Sequence, residues 1–273
     1  MGRTFQMTGI ILKGTPLGEA DRLLTILSPE VGLMRAVAPG ARKPKSFLRG
    51  RCELFVINQY LINQGRSLPR ITQAETLESY PGLSQSVEKL AAGQYLAEVV
   101  LGLALSDQPQ PDLYSLFNEH LRRLITPATD LAIQAYLAQA LFHLLALSGF
   151  APQVHHCCLS HLPIQPNFTD PRWQLGFSFE AGGLMIQPAT QPAPHSHRSV
   201  FRKVNGIDVA LLQQLSYPDL PVLADVLPAI ALKSLRVGDW VRLEHLLRDY
   251  AQFHLGRTFR AATLVDSLTV LDF

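Results

Sequence analysis

The sequence contains a dense run of positive charge with no acidic residue inside it. The stretch APGARKPKSFLRGR (38–51) carries five Lys or Arg residues in fourteen positions, and no carboxylate lies between Glu30 and Glu53. Lysine and arginine bind phosphate oxygens, so this concentration of cations indicates a surface for a polyanion, with a merely solvated loop as the alternative. The candidate phosphate-binding residues are Arg35, Arg42, Lys43, Lys45, Arg49 and Arg51.

A second group of reactive side chains lies in HHCCLSH (155–161). Cys158 and His161 have the C-x-x-H spacing with which one turn presents two ligands to a single zinc ion. A structural zinc site needs four ligands, and the next histidines, His195 and His197, follow more than thirty residues later in a Pro-rich segment. The segment therefore has three interpretations: an ordinary turn, a zinc or other transition-metal site, or a reactive thiol.

Motifs of the common nucleotide-dependent and hydrolytic enzymes are absent from the sequence. It contains no G-x-x-x-x-G-K-[ST] phosphate loop, no G-x-G-x-x-G between a strand and a helix, no G-x-S-x-G and no H-E-x-x-H. We therefore predict that the chain is not an enzyme. A metalloenzyme centred on HHCCLSH is the remaining catalytic alternative.

Length and composition indicate a folded protein with a sizeable core. The chain has 273 residues, of which 47% are hydrophobic and 17% charged, which suits one large domain or two smaller ones. The formal net charge is only +2, but residues 1–80 carry eleven Lys and Arg against six Asp and Glu, and the remaining residues carry thirteen against sixteen. The basic character belongs to the N-terminal third.

The cysteines and the apolar segments indicate the cellular compartment of the protein. Three cysteines, two of them adjacent, imply no disulfide framework and favour a reducing, cytoplasmic environment. The N-terminal apolar run is too short for a signal peptide or a membrane span. Residues 131–151 contain no charged residue, but Gln134, Gln139 and His143 make them a poor bilayer segment. We predict no membrane association and a buried central helix here.

The first eighty residues predict a small closed β-barrel. Five apolar or β-rich runs alternate with turn signals, and closure is how a short antiparallel sheet removes its exposed edges. The basic stretch forms the long connection between the third and fourth strands. Phe47, Phe55 and Tyr60 offer aromatic surfaces for bases, although core packing is the expected use of the last two. The predicted strands are 9–13, 22–27, 33–38, 53–62 and 70–78.

Beyond residue 80 the pattern becomes helical. The third predicted helix has Thr126 as its expected N-cap, Pro127 at its first position and Gly149 near its end. In the fourth, one face is apolar and the opposite face is polar. The apolar face consists of Trp240, Leu243, Leu246, Leu247, Tyr250 and Phe253, and the polar face of Arg242, Glu244, Arg248, Asp249 and Gln252. The predicted helices are 86–105, 111–124, 128–150 and 239–256.

These patterns predict an α+β chain of two domains: a nucleic-acid-binding barrel (1–80) and a mostly helical domain (81–273). A Pro-rich, irregular insertion at about 151–206 interrupts the helical domain and includes PATQPAPHSH (188–197), which has no periodicity and reads as an insertion or a mobile loop. A cationic connection on such a barrel favours binding of nucleic acid.

Several segments of the sequence, taken together, are similar to those of a known protein family. The pieces GEADRLLT (18–25), GLMRAVAPGARKPKS (32–46) and TQAE (72–75), with HLGRTFRA (254–261) near the C-terminus, resemble the RecO family of bacterial recombination and repair proteins. The resemblance extends from end to end and is strongest in residues 9–80.

The resemblance implies an oligonucleotide-binding barrel joined to a helical domain with a zinc-ribbon-like insertion. It also implies a cytoplasmic protein, nucleoid-associated when on DNA, that binds single- and double-stranded DNA and anneals complementary strands. With RecR, such a protein loads RecA onto DNA covered by the single-stranded-DNA-binding protein, without hydrolysing ATP. An adaptor whose helical domain docks a partner protein, with the basic loop incidental, is the alternative function.

The resemblance does not extend to zinc. Many family members have two C-x-x-C pairs in the insertion, the second just after a Gly-Gly. Here Cys158 and His161 stand at the first pair, but GGLMIQPA (182–189) offers Met185 and Pro188 at the second. Half of the ligand set is missing, so we predict no cofactor.

Overall fold

A computed structural model describes residues 3–65, 67–127, 131–186 and 201–269. The chain divides into two compact units, the first formed by Met1–Pro127 with Phe259–Phe273 and the second by Ala128–Thr258. The first unit thus combines the N-terminal strands with helices that include the last one of the chain.

The N-terminal strands form the predicted closed barrel. Neighbouring strands follow the order β1-β2-β3-β5-β4, and β4 pairs antiparallel with β1, which closes the ring. The contact between β3 and β5 is parallel, at Val37 and Arg70. The strands are β1 (Arg3–Leu17), β2 (Asp21–Ser28), β3 (Gly32–Ala38), β4 (Ile57–Gln64) and β5 (Arg70–Glu78).

Apolar side chains that alternate along the strands fill the barrel. Successive residues of a strand point to opposite faces, so every second residue reaches the interior. Tyr60 is the largest of these side chains and is fully buried. The strand residues of this core are Met7, Ile11, Leu24, Ile26, Ala36, Ala38, Tyr60, Ile62, Ile71 and Ala74.

The fourth strand begins later than the sequence pattern predicts. It starts at Ile57 rather than at residue 53, because Phe55 has a φ of 62° in the left-handed region, where a strand cannot continue. The buried Phe55 ring packs so close to Gly93 that a Cβ there would lie 3.3 Å from it. Packing of the aromatic ring therefore overrides the β propensity of this segment.

The four predicted helices lie close to their predicted positions, and the structure adds four that the sequence pattern did not predict. The first begins after Ser86, whose hydroxyl accepts a hydrogen bond from the backbone amide of Lys89 (3.4 Å). The last described helix packs on the first, and the ring of Phe259, one residue before the last helix begins, lies against Tyr95 of the first. The described helices are α1 (Val87–Leu103), α2 (Pro111–Ile125), α3 (Ile133–Leu147), α4 (Gly206–Gln214), α5 (Leu223–Val226), α6 (Ala229–Ser234), α7 (Val237–Leu255) and α8 (Arg260–Thr269).

Helix α3 is the predicted buried central helix, but its predicted start is wrong. Thr126 is the C-cap of α2, since its amide donates to the carbonyl of Arg122 (2.9 Å), and the N-cap of α3 is Ala132. Residues 128–130 of the predicted helix lie outside the described residues. Gln139 is buried in α3 and donates to the carbonyls of Tyr217 and Pro218. Among the described helices, none combines the length and hydropathy needed to cross a membrane.

Helix α7 buries its predicted apolar face except for Phe253, which is 42% exposed, and it also buries two residues predicted to be exposed. Glu244 and Arg248 are 1% and 9% exposed. They lie one turn apart, and Arg248 Nε donates to Glu244 Oε1 at 3.0 Å. The helical projection placed them on the polar face, but mutual pairing allows both charges to be buried. The helix ends at Gly256, which has a left-handed φ of 62°.

The insertion contains a small sheet that the sequence pattern did not reveal. Its strands β6 (Gln174–Ser178), β7 (Gly183–Met185) and β8 (Phe201–Asn205) are antiparallel in the order β7-β6-β8. The rings of Phe177 and Phe179 pack edge-to-face against Tyr250 of α7, which anchors the sheet to this helix within the second unit. The segment 188–197 lies outside the described residues.

Candidate nucleic-acid interface

The basic stretch forms the connection between β3 and β4, and buried side chains hold it on the barrel. Ala41, Leu48 and Cys52 are 2%, 1% and 1% exposed and belong to the barrel core. Burial raises the pKa of the Cys52 thiol to about 11, as expected for a thiol packed among apolar groups. The connection is therefore an anchored part of the barrel, and its position is set by the packing of these apolar residues.

Hydrogen bonds also tie the start of the connection to the turn between β1 and β2. The amide of Gly40 donates to Asp21 Oδ1 at 2.8 Å, and the amide of Arg42 donates to the carbonyl of Ala20 at 2.9 Å. Gly40 has a φ of 67°, a conformation that glycine adopts without strain. The turn begins there, and the amide of Lys43 donates back to the carbonyl of Gly40.

The predicted phosphate-binding residues project from this framework. Arg35, Arg42, Lys43, Lys45 and Arg49 are exposed, and Arg51 is half-buried. Within the described part of the chain, none of the six forms an ion pair with a carboxylate.

Two of the arginines use one N–H group each to hold the loop. Arg42 Nη1 donates to the carbonyl of Gly18 at 2.8 Å, and Arg51 Nη1 donates to the carbonyl of Phe47 at 2.6 Å. A guanidinium has five N–H donors, so both side chains keep donors for a phosphate.

The nearest acid in the sequence does not neutralise the patch. Glu53 accepts a hydrogen bond from Arg22 Nη1 at 3.0 Å in an ion pair, and the same nitrogen donates to the carbonyl of Cys52 at 3.0 Å. Arg22 and Glu53 thus compensate each other beside the connection. None of the six candidate cations takes part in this ion pair.

Strand register adds a cation that sequence reasoning missed. Lys13 of β1 and Arg35 of β3 both lie opposite Thr25 of β2, so the three residues form one row across three strands. Lys13 and Arg35 are both exposed, and Leu24 and Ile26 on either side of Thr25 point into the core. Lys13 and Arg35 are more than twenty positions apart in sequence, and only the pairing of β2 with both neighbours brings them together.

The aromatic candidates divide into exposed and buried side chains. Phe47 is 58% exposed, and the Arg51 guanidinium carbon lies 5.9 Å from its ring centroid. Phe55 and Tyr60 are buried, as expected from core packing. The Tyr60 hydroxyl accepts a hydrogen bond from Asn58 Nδ2 at 2.8 Å, and burial raises its pKa. Phe47 is thus the member of this trio that offers a surface to a ligand.

The segment 155–161 does not supply a zinc site from the described residues. No third His, Cys, Asp or Glu side chain of the described chain joins Cys158 and His161 in a cluster. Met185, at the first position of the second pair, offers a thioether, which is not among the ligands that hold zinc in proteins. Pro188, His195 and His197 lie outside the described residues.

Sequence reasoning singled out Cys158 in this segment as a metal ligand, and it assigned the reactive thiol to no residue; in the structure the pKa of the neighbouring Cys157 is lowered. Cys157 Sγ accepts hydrogen bonds from the backbone amides of Ser160 (3.4 Å) and Ile186 (3.3 Å). Burial raises its pKa, but hydrogen bonds from Ser160, Ile186 and Leu159 outweigh burial and lower the pKa to about 7. Burial and the adjacent Cys157 raise the pKa of Cys158.

Comparison with known proteins agrees with the barrel and the helical region. The family profile described as "Recombination protein O N terminal" matches residues 1–80, and "Recombination protein O C terminal" matches residues 84–262.

Full-length relatives have the same family name. The chain is 55% identical to "DNA repair protein RecO" of Gloeothece citriformis and 53% identical to that of Synechocystis sp., over 100% of both chains in each case. It is 46% identical to the protein of this name from Nostoc punctiforme, over 98% of this chain and 97% of the relative. Two family profiles and these relatives together show that the chain belongs to the RecO family of DNA repair and recombination proteins.

Proposed function

We propose that this protein binds single- and double-stranded DNA through the basic connection and anneals complementary strands. Its family consists of non-enzymatic recombination mediators, so its contribution to repair is to bind and arrange strands. The DNA-binding residues of this proposal are Arg35, Arg42, Lys43, Lys45, Arg49 and Arg51.

The observation that carries the proposal is that the apolar residues of the connection anchor it and its charged residues face the solvent. Its apolar residues Ala41, Leu48 and Cys52 are buried in the barrel. Its cations are exposed, except for the half-buried Arg51, and have no carboxylate partners among the described residues. An anchored loop presents its charges in a fixed arrangement, which lowers the entropy lost when a phosphate backbone binds. An incidental solvated loop needs no such anchors.

Annealing follows from charge neutralisation. Two DNA strands repel each other through their phosphates, and a cationic surface that contacts both backbones reduces this repulsion. Base pairing then supplies the sequence specificity, because phosphate contacts carry none. Binding is expected to be weakly selective for sequence and strongly dependent on salt, with log K falling against log salt by roughly 0.7 for each phosphate neutralised on a single strand.

Charge reversal of the connection tests the proposal. Changing Arg42, Lys43 and Lys45 together to Glu is expected to abolish binding of single strands and duplex and to stop annealing. The measurement is a gel-shift and annealing assay at two salt concentrations, with circular dichroism to confirm that the barrel is folded.

A matched control separates a local effect from a change in net charge. Arg172, Lys233 and Arg257 are exposed cations of the second unit, and their joint reversal to Glu makes the same charge change. This control is expected to bind and anneal nearly as the parent does. Unchanged DNA affinity of the Arg42, Lys43 and Lys45 variant at low salt contradicts the proposal.

We extend the proposal to the partners that family membership suggests. In it, the protein works with RecR to load RecA onto DNA covered by the single-stranded-DNA-binding protein. The expected result in a reconstituted reaction is that RecA assembles faster on covered strands when both this protein and RecR are present. The charge-reversed variant is expected to lose this effect, since loading requires DNA contact.

Docking of a partner protein is a second candidate function, favoured by a groove of about 530 Å³ on the second unit. Its wall combines Leu243 and Leu246 with the charged pair formed by Arg202 and Asp249, which are 3.0 Å apart. If docking is the main function, affinity for RecR survives reversal of the basic connection and strand annealing by the parent protein is absent.

A further inference from the structure

A groove of about 300 Å³ lies beside the basic connection on the barrel. Phe47 and Arg51 of the connection line it together with side chains from β1, β4 and β5. Its volume is at the low end of the range for small-molecule sites, which suits one flat ring system. Its lining residues are Gln6, Phe47, Arg51, Gln59, Tyr60, Leu61, Gln73, Ala74 and Glu75.

The wall of the groove has the side chains that stack on bases. Phe47 is 58% exposed, although an aromatic side chain gains most by burial, and Arg51 lies against its ring. Arg51 Nη1 also donates to the carbonyl of Phe47, so the arginine holds the aromatic residue at the groove. Aromatic and guanidinium planes stack on any nucleobase.

The floor of the groove offers donors and acceptors to the edge of a base. Gln6 lies opposite Leu61, and Leu61 lies opposite Gln73, so two amides flank one apolar side chain. Gln59, one row further, lies opposite Glu75. Gln6, Gln59 and Gln73 are exposed, and within the described residues their side-chain amides have no hydrogen-bond partner. A glutamine amide both donates and accepts, so rotation adapts it to different bases.

We propose that this groove holds one unpaired nucleobase of a single strand, stacked on Phe47 with its edge at the glutamine amides. This inference rests on the proposed binding of DNA by the basic connection, which supplies the phosphate contacts of the same strand. A paired base cannot enter, because its edge is already bonded to its partner and its faces are stacked in the duplex. The groove is therefore expected to favour binding of single strands over duplex.

Replacement of Phe47 tests the stacking contact. Phe47→Ala is expected to weaken single-strand binding about tenfold or more and to change duplex binding by less than about twofold, since a stacked base contributes on that order. Phe47→Trp is expected to restore single-strand affinity. On a single strand of the same length made only of abasic sites, the parent and Phe47→Ala are expected to bind equally.

Two further variants show whether the groove itself takes the base. Leu61→Trp fills the groove and leaves Phe47 in place, so it is expected to weaken single-strand binding as Phe47→Ala does. Leu77→Ala is the control, because Leu77 is 56% exposed on β5 and does not line the groove. It is expected to bind both DNA forms as the parent does.

The outcomes separate this inference from the proposed function. If the parent binds neither single strands nor duplex, DNA binding by the basic connection is wrong. If the parent binds both but Phe47→Ala or Leu61→Trp keeps full single-strand affinity, the base-binding groove is wrong and the basic connection still stands. Equal losses for single strand and duplex also overturn the groove, because they show that Phe47 supports only the loop.

Discussion

The backbone amide of Gly40 donates a hydrogen bond to the carboxylate of Asp21, with 2.8 Å between nitrogen and oxygen. Asp21 begins β2 and Gly40 lies two residues after the end of β3, so this contact fixes where the cationic loop leaves the barrel. An acidic residue beside a phosphate-binding surface opposes binding by its charge. We infer that Asp21 serves to hold the loop in place through this hydrogen bond.

Substitutions of Asp21 separate its charge from its hydrogen bond. Asp21→Asn and Asp21→Ala remove the same charge, but only Asn keeps an oxygen that accepts from Gly40. We expect Asp21→Ala to bind single-stranded DNA about two- to tenfold more weakly than Asp21→Asn, since a lost hydrogen bond is worth about 1 kcal/mol. Fluorescence anisotropy measures the difference. Equal affinities mean that this bond does not order the loop for binding.

The row that joins Lys13 to Arg35 across Thr25 predicts that Lys13 contacts phosphate with the basic connection. Lys13→Ala is expected to lower the slope of log K against log salt by about 0.7 on a single strand, as for the loss of one phosphate contact. The control is Lys233→Ala, which removes an exposed lysine of the second unit. A slope that is the same for the parent and both variants excludes Lys13 from the interface.

Gly32 at the start of β3 is required by both conformation and space. Its φ is 70°, and a Cβ there would lie 2.3 Å from the carbonyl oxygens of both Gln108 and Leu105. Gly32→Ala is expected to lower the free energy of unfolding by roughly 3 kcal/mol or more, through backbone strain and displacement of the facing segment.

The matched control for Gly32 is Gly18, which has a φ of 59° and no atom within 4 Å of the position that a Cβ would occupy. Gly18→Ala is expected to cost only about 1 kcal/mol, because it carries strain without a clash. Urea denaturation followed by circular dichroism compares the two variants. Similar losses of stability show that the close carbonyl oxygens do not matter.

The Cys157 thiol predicts a pH dependence of stability. Its pKa falls from an ordinary value of 9.0 to about 7 in the folded protein, so between these values the unfolded chain binds more protons. The stabilisation is complete above pH 9 and is lost as the pH falls through 7. We therefore expect the parent to gain stability from pH 7 to 8.5, by up to about 2 kcal/mol.

Replacement of Cys157 by Ser tests whether this thiol causes the rise of stability with pH. Serine accepts the same amide hydrogen bonds but does not ionise in this range, so Cys157→Ser is expected to lose most of the rise. The stability measurements end at pH 8.5 because the pKa of Cys52 is raised to about 11. Ionisation of this thiol in the unfolded chain lowers the stability of the fold as the pH rises above 9. A parent and variant with parallel stability curves refute the lowered pKa of Cys157.

The sequence by itself determined the barrel, the basic connection and the apolar face of α7 apart from Phe253. Each depends on a local pattern: alternation along a strand, a run of cations between turn signals, and apolar residues at helical spacing. The strand 57–64 shows the limit of such patterns. Its start is delayed by the left-handed conformation of Phe55, whose ring packs against Gly93 of α1, and this contact is not visible in the local sequence.

Tertiary structure alone decided which charges act together. The register of β2 with two neighbours placed Lys13 in one row with Arg35, with Thr25 between them, and the fold paired Arg22 with Glu53. Burial of Glu244 with Arg248, and of the Cys157 sulfur against the amide of Ile186, likewise depends on packing between segments. A local pattern shows the type and spacing of residues. The partners of a side chain and the pKa of a thiol also depend on groups that are distant in sequence and come together only in the folded chain.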